Sequence, residues 1–420
     1  METIDNQALR ELIREGKEIK NYKIDRLTLS KFNLEHPLVI TECVINDVSI
    51  SSMHMKHPII MRRCKIGQFI ATKVVCEQQV DLKKSKINRL RITHSEIHGN
   101  LLLTEVRSGN CSLHNSVIHQ NCKLDRATFT GSLTLSNTEC HADLLLNNTS
   151  VELDCSCPHM KVRGNLNAEA ASFNQVFTLS EAEVLGDCKF QSASFGSQAT
   201  LWSTRLGGLI SFENASFTHT LDMREVHVGE GTRFSFLNAT IHKLVLDHRI
   251  VHGRLLNEQN GRYAEASKEY GILRNQYSAD HEFVAEDWAY YHLKRAERLA
   301  KPIGNIKRWI SARLEYLFLD LGCGYGIYPY RTLGVCFFLI SIFAIFYLFL
   351  VPYDPRALFG FPGPINHFLY AFDLSLLVFS GGYSDFPVYG FAKFIAMLEY
   401  LIGLIFMGLF VVAISRKIIR

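Results

Sequence analysis

Apolar residues recur every 11 positions over much of the N-terminal part of this 420-residue chain. One set consists of Phe173, Val184, Phe195, Leu206 and Phe217. A second set with the same spacing consists of Leu179, Phe190, Leu201, Phe212, Met223 and Phe234. Beside the second set the apolar residues alternate, as at Phe177 and Leu179, which is typical of a short strand with one buried face. Two short strands in each 11-residue unit predict a β-solenoid, in which every rung buries its inward side chains against its neighbours.

The repeat register extends beyond this central region. It continues backward through Val151, Cys140, Phe129 and Ile118, and it returns at Ile241. Earlier positions are spaced less regularly, at about 10 or 21 residues, and they include Cys43, Cys64, Ile87 and Ile97. The small residues two places before each large one are expected at tight corners. The 17 histidines are scattered, and we expect them to solvate the faces of the solenoid.

One short segment, Asp154-Cys155-Ser156-Cys157-Pro158-His159, contains several residues of the types that bind metals. A zinc site needs four converging ligands, and this segment offers three within five residues. We interpret the segment as an irregular corner, because the 11-residue register is interrupted between Val151 and Phe173. No metal site is therefore predicted.

Four-residue phrases end at the first apolar set, for example Ala170-Ala171-Ser172-Phe173 and Asn214-Ala215-Ser216-Phe217. They resemble degenerate pentapeptide repeats, over residues 22–250. In that family, five-residue units wind a right-handed quadrilateral β-helix. The resemblance implies a right-handed β-solenoid over residues 22–255, which we expect to be cytoplasmic. The amphipathic pattern at the start of the chain predicts an N-terminal helical cap over residues 1–21.

Residues 256–330 are predicted to form a helical adaptor. Residues 263–274 and 282–299 are rich in Ala, Glu, Lys, Arg, Tyr and Leu and contain no Pro, which favours a helical hairpin. Further on, apolar residues at helical spacing lie opposite basic ones. The apolar residues are Ile306, Trp309, Ile310, Leu314, Leu317 and Leu321, and the basic ones are Lys307, Arg308 and Arg313. A basic amphipathic helix beside a span is typical of the bilayer interface, and a core helix of the adaptor is the alternative.

Two apolar runs, residues 332–351 and 391–414, are each long enough to cross a bilayer, for which a helix needs about 20 residues. Basic residues flank both runs: Lys301, Lys307, Arg308, Arg313 and Arg331 before the first, and Arg416, Lys417 and Arg420 after the second. The segment between the runs offers only Arg356, and Lys393 lies at the rim of the second run. The positive-inside rule therefore predicts an integral membrane protein, which we expect in a bacterial inner membrane, with both termini cytoplasmic.

Two further features agree with a cytoplasmic N-terminal part. The first residues lack a basic region followed by an apolar core, so we expect no signal peptide. The 11 cysteines show no paired spacing, which indicates buried thiols in a reducing compartment.

A shorter apolar stretch, residues 365–379, lies between the two runs and cannot span a bilayer. It leads into the sequence Ser380-Gly381-Gly382-Tyr383-Ser384-Asp385. A half-length apolar helix that ends at Gly-Gly between two spans favours a re-entrant loop, here residues 365–386. Irregular backbone survives at membrane depth only inside protein or beside water, so this loop is a candidate pore.

Residues 331–420 resemble the two-transmembrane, pore-loop unit of potassium-channel-like proteins. In that family the pore helix ends in Thr-Val-Gly-Tyr-Gly-Asp, and the backbone carbonyls of four such loops replace the hydration shell of the ion. The resemblance implies a homotetramer. It also implies a selectivity filter formed by Ser380, Gly381, Gly382, Tyr383, Ser384 and Asp385.

Two filter positions depart from the family pattern. Gly381 replaces the Val that packs the filter against its pore helix, and Ser384 replaces a Gly that often has a positive φ. We therefore expect a permeant monovalent cation without strict potassium selectivity.

Polar residues at membrane depth should face protein or water. The candidates for such support of the pore are Asp373, Ser375 and Glu399. The two carboxylates could raise the cation concentration near the filter, or pair with Ser380, Tyr383 or Lys393. For Glu399 we favour a structural hydrogen bond behind the filter. Two glycines of the second run are candidates either for a gating hinge or for a close helix contact: Gly403 and Gly408.

The composition argues against several other classes. A net charge of +4 does not suit a DNA-wrapping protein, and we expect no nucleic-acid partner. The sequence contains no nucleotide-binding loop, His-Glu-x-x-His or Gly-x-Ser-x-Gly motif, so we predict neither an enzyme nor a cofactor.

We predict a tetrameric cation channel in the lipid bilayer, regulated through its cytoplasmic β-helix. Its stimulus would be a protein or small molecule that binds the β-helix or the adaptor. The alternative is a non-conducting membrane anchor that displays the solenoid as a protein-interaction platform. A third hypothesis, a solenoid that mimics DNA, agrees poorly with the near-neutral charge and the membrane attachment.

Overall fold

The computed structural model describes residues 1–30, 34–302, 306–351, 363–382 and 390–418. The chain forms two compact units, Met1–Ala289 and Tyr290–Arg420. Three of the predicted filter residues, Tyr383, Ser384 and Asp385, lie outside the described residues.

Helices occur at the N-terminus and throughout the C-terminal part of the chain. In chain order they are α1 (Asn6–Arg14), α2 (His248–Val251), α3 (Leu256–Gln259), α4 (Tyr263–Ala279), α5 (Phe283–Ala300), α6 (Ile306–Leu314), α7 (Pro329–Leu350), α8 (Gly363–Ser380) and α9 (Phe391–Ile418). A π-helical segment, Glu315–Gly322, follows α6.

One short strand precedes α1 and the others lie between α1 and α2, and most of them are only two residues long. The first strands, which include the longest ones, are β1 (Glu2–Thr3), β2 (Ile19–Lys20), β3 (Tyr22–Ser30), β4 (Leu38–Thr41), β5 (Val44–Met55), β6 (Ile59–Arg62), β7 (Lys65–Cys76), β8 (Val80–Asp81), β9 (Lys86–Thr93), β10 (Glu96–Ile97), β11 (Leu101–Leu102) and β12 (Arg107–His114). The following strands are β13 (Val117–Ile118), β14 (Cys122–Lys123), β15 (Thr128–Phe129), β16 (Leu133–Thr134), β17 (Glu139–Cys140), β18 (Leu144–Leu145), β19 (Ser150–Val151), β20 (Cys155–Ser156), β21 (Lys161–Val162), β22 (Leu166–Asn167), β23 (Ser172–Phe173), β24 (Phe177–Thr178), β25 (Glu183–Val184), β26 (Cys188–Lys189), β27 (Ser194–Phe195), β28 (Ala199–Thr200), β29 (Arg205–Leu206), β30 (Leu209–Ser211), β31 (Ser216–Asp222), β32 (His227–Val228), β33 (Arg233–Ser235) and β34 (Thr240–Val245).

The strands stack as a parallel β-solenoid of the pentapeptide-repeat-like kind, which confirms the solenoid prediction. Within the described residues, one face is a parallel sheet of 11 strands from β2 to β33, so the solenoid has about 11 turns. The ladder pairs Phe173 with Phe195 and Val184 with Leu206. Each of these turns therefore spans 22 residues, and the 11-residue spacing of the sequence is half a turn.

Both apolar sets point into the interior of the solenoid. Phe173, Phe195 and Phe217 are buried on successive turns. The rings of Phe195 and Phe217 are stacked with their centroids 4.5 Å apart, and those of Phe173 and Phe195 are 5.2 Å apart. Such aromatic pairs contribute about 0.5–1.5 kcal/mol beyond the burial of their area, so the ladder of rings stabilises the stack.

The corners lie one residue earlier than the sequence pattern predicts. Ala170, Ser192 and Asn214 have φ values of +53°, +56° and +56°, and each stands three places before a large core residue. The small residue that follows each corner, as at Ala171, is instead buried inside the coil. A left-handed conformation is unfavourable for a residue with a Cβ. Here the corner is held by the next turn, because the N–H of Ala170 donates to the Gln191 carbonyl oxygen at 2.8 Å.

The prediction of an irregular corner at residues 154–159 is wrong. Val162 stands midway between Val151 and Phe173 and is buried like them, so the register is continuous. Cys155 and Cys157 are buried in the core, whereas His159 is an exposed corner residue with a φ of +54°. The side chains of this segment therefore do not converge on one point.

Helix α4 closes the C-terminal end of the solenoid. The Glu269 Oε1 atom accepts hydrogen bonds from the Phe236 N–H at 2.8 Å and the Ser235 hydroxyl at 3.1 Å. Gln276 accepts one from the Leu244 N–H at 2.9 Å. The last strands of a stack present unpaired backbone groups, and these side chains satisfy them in place of another strand. Burial raises the pKa of Glu269 to about 7, although the hydrogen bonds that it accepts act in the opposite direction.

In the second unit, α7, α8 and α9 pack into a three-helix bundle. Its core includes Tyr347 of α7, Leu374 and Val378 of α8, and Ala396 of α9. Two helices of the chain, Pro329–Leu350 and Phe391–Ile418, are long and apolar enough to cross a membrane. Only 28% and 22% of their most apolar windows are buried within the chain.

A charged cluster lies on the N-terminal side of this bundle. Asp320 of the π-helical segment is buried and accepts a hydrogen bond from Arg298 at 2.6 Å and another from the Tyr291 hydroxyl at 2.8 Å. Arg298 also donates to the Tyr325 hydroxyl at 3.2 Å. The cluster fixes the π-helical segment to the C-terminal half of α5. Separating the two would leave a buried charge without its partner, which is strongly destabilising.

Candidate functional site

Helix α8 differs from its two neighbours in length and surroundings. Its apolar stretch, Ile365–Ser380, is shorter than the about 20 residues that cross a bilayer. It packs against both long helices, with Val378 in one buried cluster and Phe379 in a second cluster that includes Ile340 of α7 and Phe406 of α9. A short apolar helix is thus enclosed on two sides by helices of spanning length.

The C-terminus of α8 is closed by a glycine cap. The Gly382 N–H donates to the Leu377 carbonyl oxygen at 2.7 Å, and the Gly381 N–H lies 3.3 Å from the Val378 carbonyl oxygen. Together with a φ of +101° at Gly381, these bonds form a Schellman motif, for which glycine is the favoured residue. The two glycines therefore end the helix at this point, because Gly381 adopts a positive φ and both N–H groups bond to carbonyls of its last turn.

The described part of the predicted filter belongs to this cap. Ser380 is the last helical residue; its side chain is exposed and its hydroxyl donates to the Leu377 carbonyl oxygen at 3.2 Å. Gly381 and Gly382 follow it. The C-terminus of a helix carries a partial negative charge of about half an elementary charge, so the cap is electrostatically favourable for a nearby cation.

Glu399 of α9 is fully buried and contacts α8. The Tyr347 hydroxyl donates to its Oε2 atom at 2.6 Å, and the Ser375 hydroxyl contacts Oε1. The Ser375 hydroxyl also lies 2.9 Å from the Ile340 carbonyl oxygen. The carboxyl group therefore links all three helices.

The partners of Glu399 differ from the alternatives that the sequence suggested. Among the described residues they are Tyr347 and Ser375, not Ser380 or Lys393. Tyr347 was missed because it stands in an unbroken apolar run, where an aromatic residue gives no sign that its hydroxyl has a partner. Asp373 is half-buried on α8.

The two glycines of α9 have different surroundings. A Cβ atom at Gly403 would lie 2.2 Å from the carbonyl oxygen of Phe379, so α9 and the end of α8 touch there through their backbones. A Cβ atom at Gly408 would meet no atom within 4 Å. The close-contact interpretation therefore suits Gly403.

The amphipathic segment before α7 exposes its apolar side chains. Ile306, Trp309 and Ile310 of α6 are 77%, 47% and 46% exposed. The Arg313 guanidinium lies over the Trp309 ring, 5.5 Å from its centroid. An apolar face rimmed by basic side chains fits the boundary between lipid headgroups and acyl chains better than it fits a protein core.

No protein-family model matches this chain, and neither a curated protein nor a solved structure matches it.

Proposed function

We propose that the chain is one subunit of a homotetrameric cation channel. In this proposal α7 and α9 cross the bilayer, α8 enters it as a re-entrant pore helix, and the solenoid regulates the pore from the cytoplasm. The observation that carries the proposal is an apolar helix, shorter than the two spanning helices that enclose it, that ends in a glycine cap at Gly381 and Gly382.

The outer surface of the bundle supports membrane insertion. Large apolar side chains remain exposed on both long helices, and the most exposed include Phe337, Phe338 and Phe349 of α7 and Phe394, Leu404 and Val411 of α9. Large apolar side chains exposed along both helices need an apolar environment, which lipid and neighbouring subunits together provide. The apolar face of α6 would lie in the interface of the same bilayer.

The electrostatics of α8 support a cation as the permeant species. One helix end cannot enclose a pore, but four copies around an axis would direct four negative helix ends at the same point. A cation that has lost part of its hydration shell would be stabilised there by the dipoles and by backbone carbonyls. Glu399 would hold each pore helix in place through Ser375 without contacting the ion.

The non-conducting anchor remains the competing proposal. Two spanning helices are sufficient to anchor a protein, and an anchor has no use for a third apolar helix too short to span. The buried contacts between α8 and both neighbours favour the channel, because they keep the capped end at a defined depth.

Cation flux through reconstituted protein tests the proposal. We expect liposomes that contain the full chain to pass monovalent cations, and native mass spectrometry to detect four chains in each particle. Gly381→Ala should abolish flux, because the φ of +101° is strained for a residue with a Cβ. Gly334→Ala in α7 is the matched control, since a Cβ atom there meets no atom within 4 Å in the single chain.

The absence of flux from folded protein across a range of voltages and pH values would reject the channel and support the membrane anchor. Wild-type flux through Gly381→Ala would instead reject a conduction path at the glycine cap.

A further inference from the structure

Imidazole rings stand above one another on one face of the solenoid. The parallel register stacks equivalent residues of successive turns, and the stacked residues on this face are Glu77, His98, His119 and His141. The ring centroids of His98 and His119 are 4.7 Å apart, and those of His119 and His141 are 4.6 Å apart.

A carboxylate lies between two of these rings. Glu96 stands two residues before His98 and faces the same side of the strand. Its Oε1 atom is 3.1 Å from the His98 Nε2 atom and 2.8 Å from the His119 Nε2 atom. The three ligand atoms all lie within 4.8 Å of one another. The Nε2 atoms of two imidazoles on adjacent turns thus both point at the Oε1 atom of Glu96.

This set of donors matches the chemistry of a divalent transition metal. Imidazole nitrogen and carboxylate oxygen both bind Zn²⁺, at about 2.0–2.2 Å, which separates ligand atoms in a tetrahedral site by about 3.3 Å. The present oxygen–nitrogen distances of 3.1 and 2.8 Å need to open by only a few tenths of an ångström.

We propose that Glu96, His98 and His119 bind a divalent transition-metal ion, with Zn²⁺ the best-fitting ion, and that the ion bridges two turns of the solenoid. Each imidazole then carries its proton on Nδ1 and offers the Nε2 lone pair. Water completes the coordination, because the side chains of His98 and His119 are 45% and 34% exposed. The site is independent of the pore and does not rest on the proposed function.

The rest of the face explains why the site is confined to these three residues. The His141 Nε2 atom lies 3.1 Å from the Glu139 Oε1 atom, which also accepts a hydrogen bond from Arg163 at 2.8 Å. A guanidinium at this carboxylate repels a second cation. The prediction that the histidines merely solvate the faces of the solenoid therefore does not suit His98 and His119. Their spacing of 21 residues becomes meaningful only once the length of a turn is known.

A competition titration tests the proposal. The full chain, purified without an affinity tag and stripped of metal by a chelator, is titrated with Zn²⁺ against a chromophoric chelator. We expect one saturable Zn²⁺ equivalent per chain that His119→Gln and His98→Gln each weaken by at least about tenfold, the smallest loss typical of a disturbed metal site. Co²⁺ as a second probe should give the visible absorption of a bound ion in the wild type and lose it in both variants.

His227→Gln is the matched control. His227 is exposed and pairs in the ladder with Arg205, so it has no second imidazole on the preceding turn. It should bind Zn²⁺ like the wild type. Circular dichroism confirms that each variant is folded, which is expected for substitutions at partly exposed positions. Wild-type affinity in both His119→Gln and His98→Gln, or the absence of a saturable equivalent, would overturn the proposal and leave only hydrogen bonds between imidazole and carboxylate.

Discussion

Glu269 in the solenoid unit and Glu399 in the helical bundle are both fully buried, yet they have different roles. Glu269 accepts hydrogen bonds from Ser235 and Phe236 and thereby ends a stack of strands. Glu399 accepts one from Tyr347 and contacts Ser375, and thereby joins three helices from within. Glu269 caps the last strands of the solenoid, whereas Glu399 connects the helices of a bundle whose outer surface is apolar.

The burial of aromatic residues shows the same difference. The solenoid encloses its phenylalanines, and Phe195 is only 2% exposed. In the bundle, Phe337 and Phe349 are 64% and 84% exposed. Because apolar area contributes stability only when it is removed from water, the solenoid gains more from its aromatic residues as a single chain than the bundle does. The missing cover of the bundle is the reason for proposing lipid and further subunits.

The largest effect should follow from removing a core ring of the solenoid. Phe195→Ala deletes the middle of a three-ring stack and should lower the free energy of unfolding by about 3–5 kcal/mol, the usual cost of an emptied aromatic site. Phe337→Ala, the matched change in the bundle, should cost close to nothing in detergent. Hydrogen exchange of the full chain measures both local stabilities. Equal losses at the two sites would contradict the difference in burial.

A smaller effect should appear in the pH dependence of the solenoid. The pKa of Glu269 is raised from its ordinary value of 4.5 to about 7 by burial. Between these pH values the folded state holds a proton that the unfolded state has lost, so stability should fall as the pH rises from 4.5 to 7. The decrease should reach about 3 kcal/mol, at 1.36 kcal/mol for each unit of pKa.

Glu269→Gln isolates that contribution. The amide keeps an oxygen acceptor for Ser235 and Phe236 but does not titrate, so the variant should match the wild type at pH 4.5 and exceed its stability at pH 8. Hydrogen exchange at the amides of β33, measured at both pH values, reports the change. An identical pH slope in the two proteins would show that Glu269 titrates normally, and the closure of the solenoid would then not depend on a neutral carboxyl group.

The sequence predicts the solenoid well because its signal is periodic. Apolar side chains 11 positions apart have one physical cause, the stacking of half-turns, so Phe173 and Phe195 could be placed in the core without coordinates. The same period was misapplied between Val151 and Phe173, where Val162 was overlooked. The corners were predicted one residue too late in the sequence. The small residues used to place them are buried beside the corner and do not form it.

Contacts between distant residues could not be predicted in the same way. A carboxylate in an apolar helix must find a partner, and the sequence therefore indicates that Glu399 matters but not that Tyr347 faces it. His98 and His119 gave no local motif, since their proximity depends on the length of one turn. The end of α8 was predictable as a feature, because Gly-Gly after a half-length apolar run indicates a helix terminus in any environment.

The smallest effect should distinguish the two glycines of α9 and thereby sharpen the account of the bundle. Gly403→Ala places a methyl carbon 2.2 Å from the Phe379 carbonyl oxygen, so α8 and α9 must move apart, at a cost of about 1–3 kcal/mol. Gly408→Ala meets no atom within 4 Å in the single chain, and alanine even favours a helix over glycine by about 1 kcal/mol. Thermal denaturation in detergent, followed by loss of the helical circular dichroism signal, compares the two variants directly. If Gly408→Ala proves the more damaging, Gly408 packs against another subunit. If neither substitution matters, α8 is not held at its capped end, and the proposal that it is a pore helix loses its main structural support.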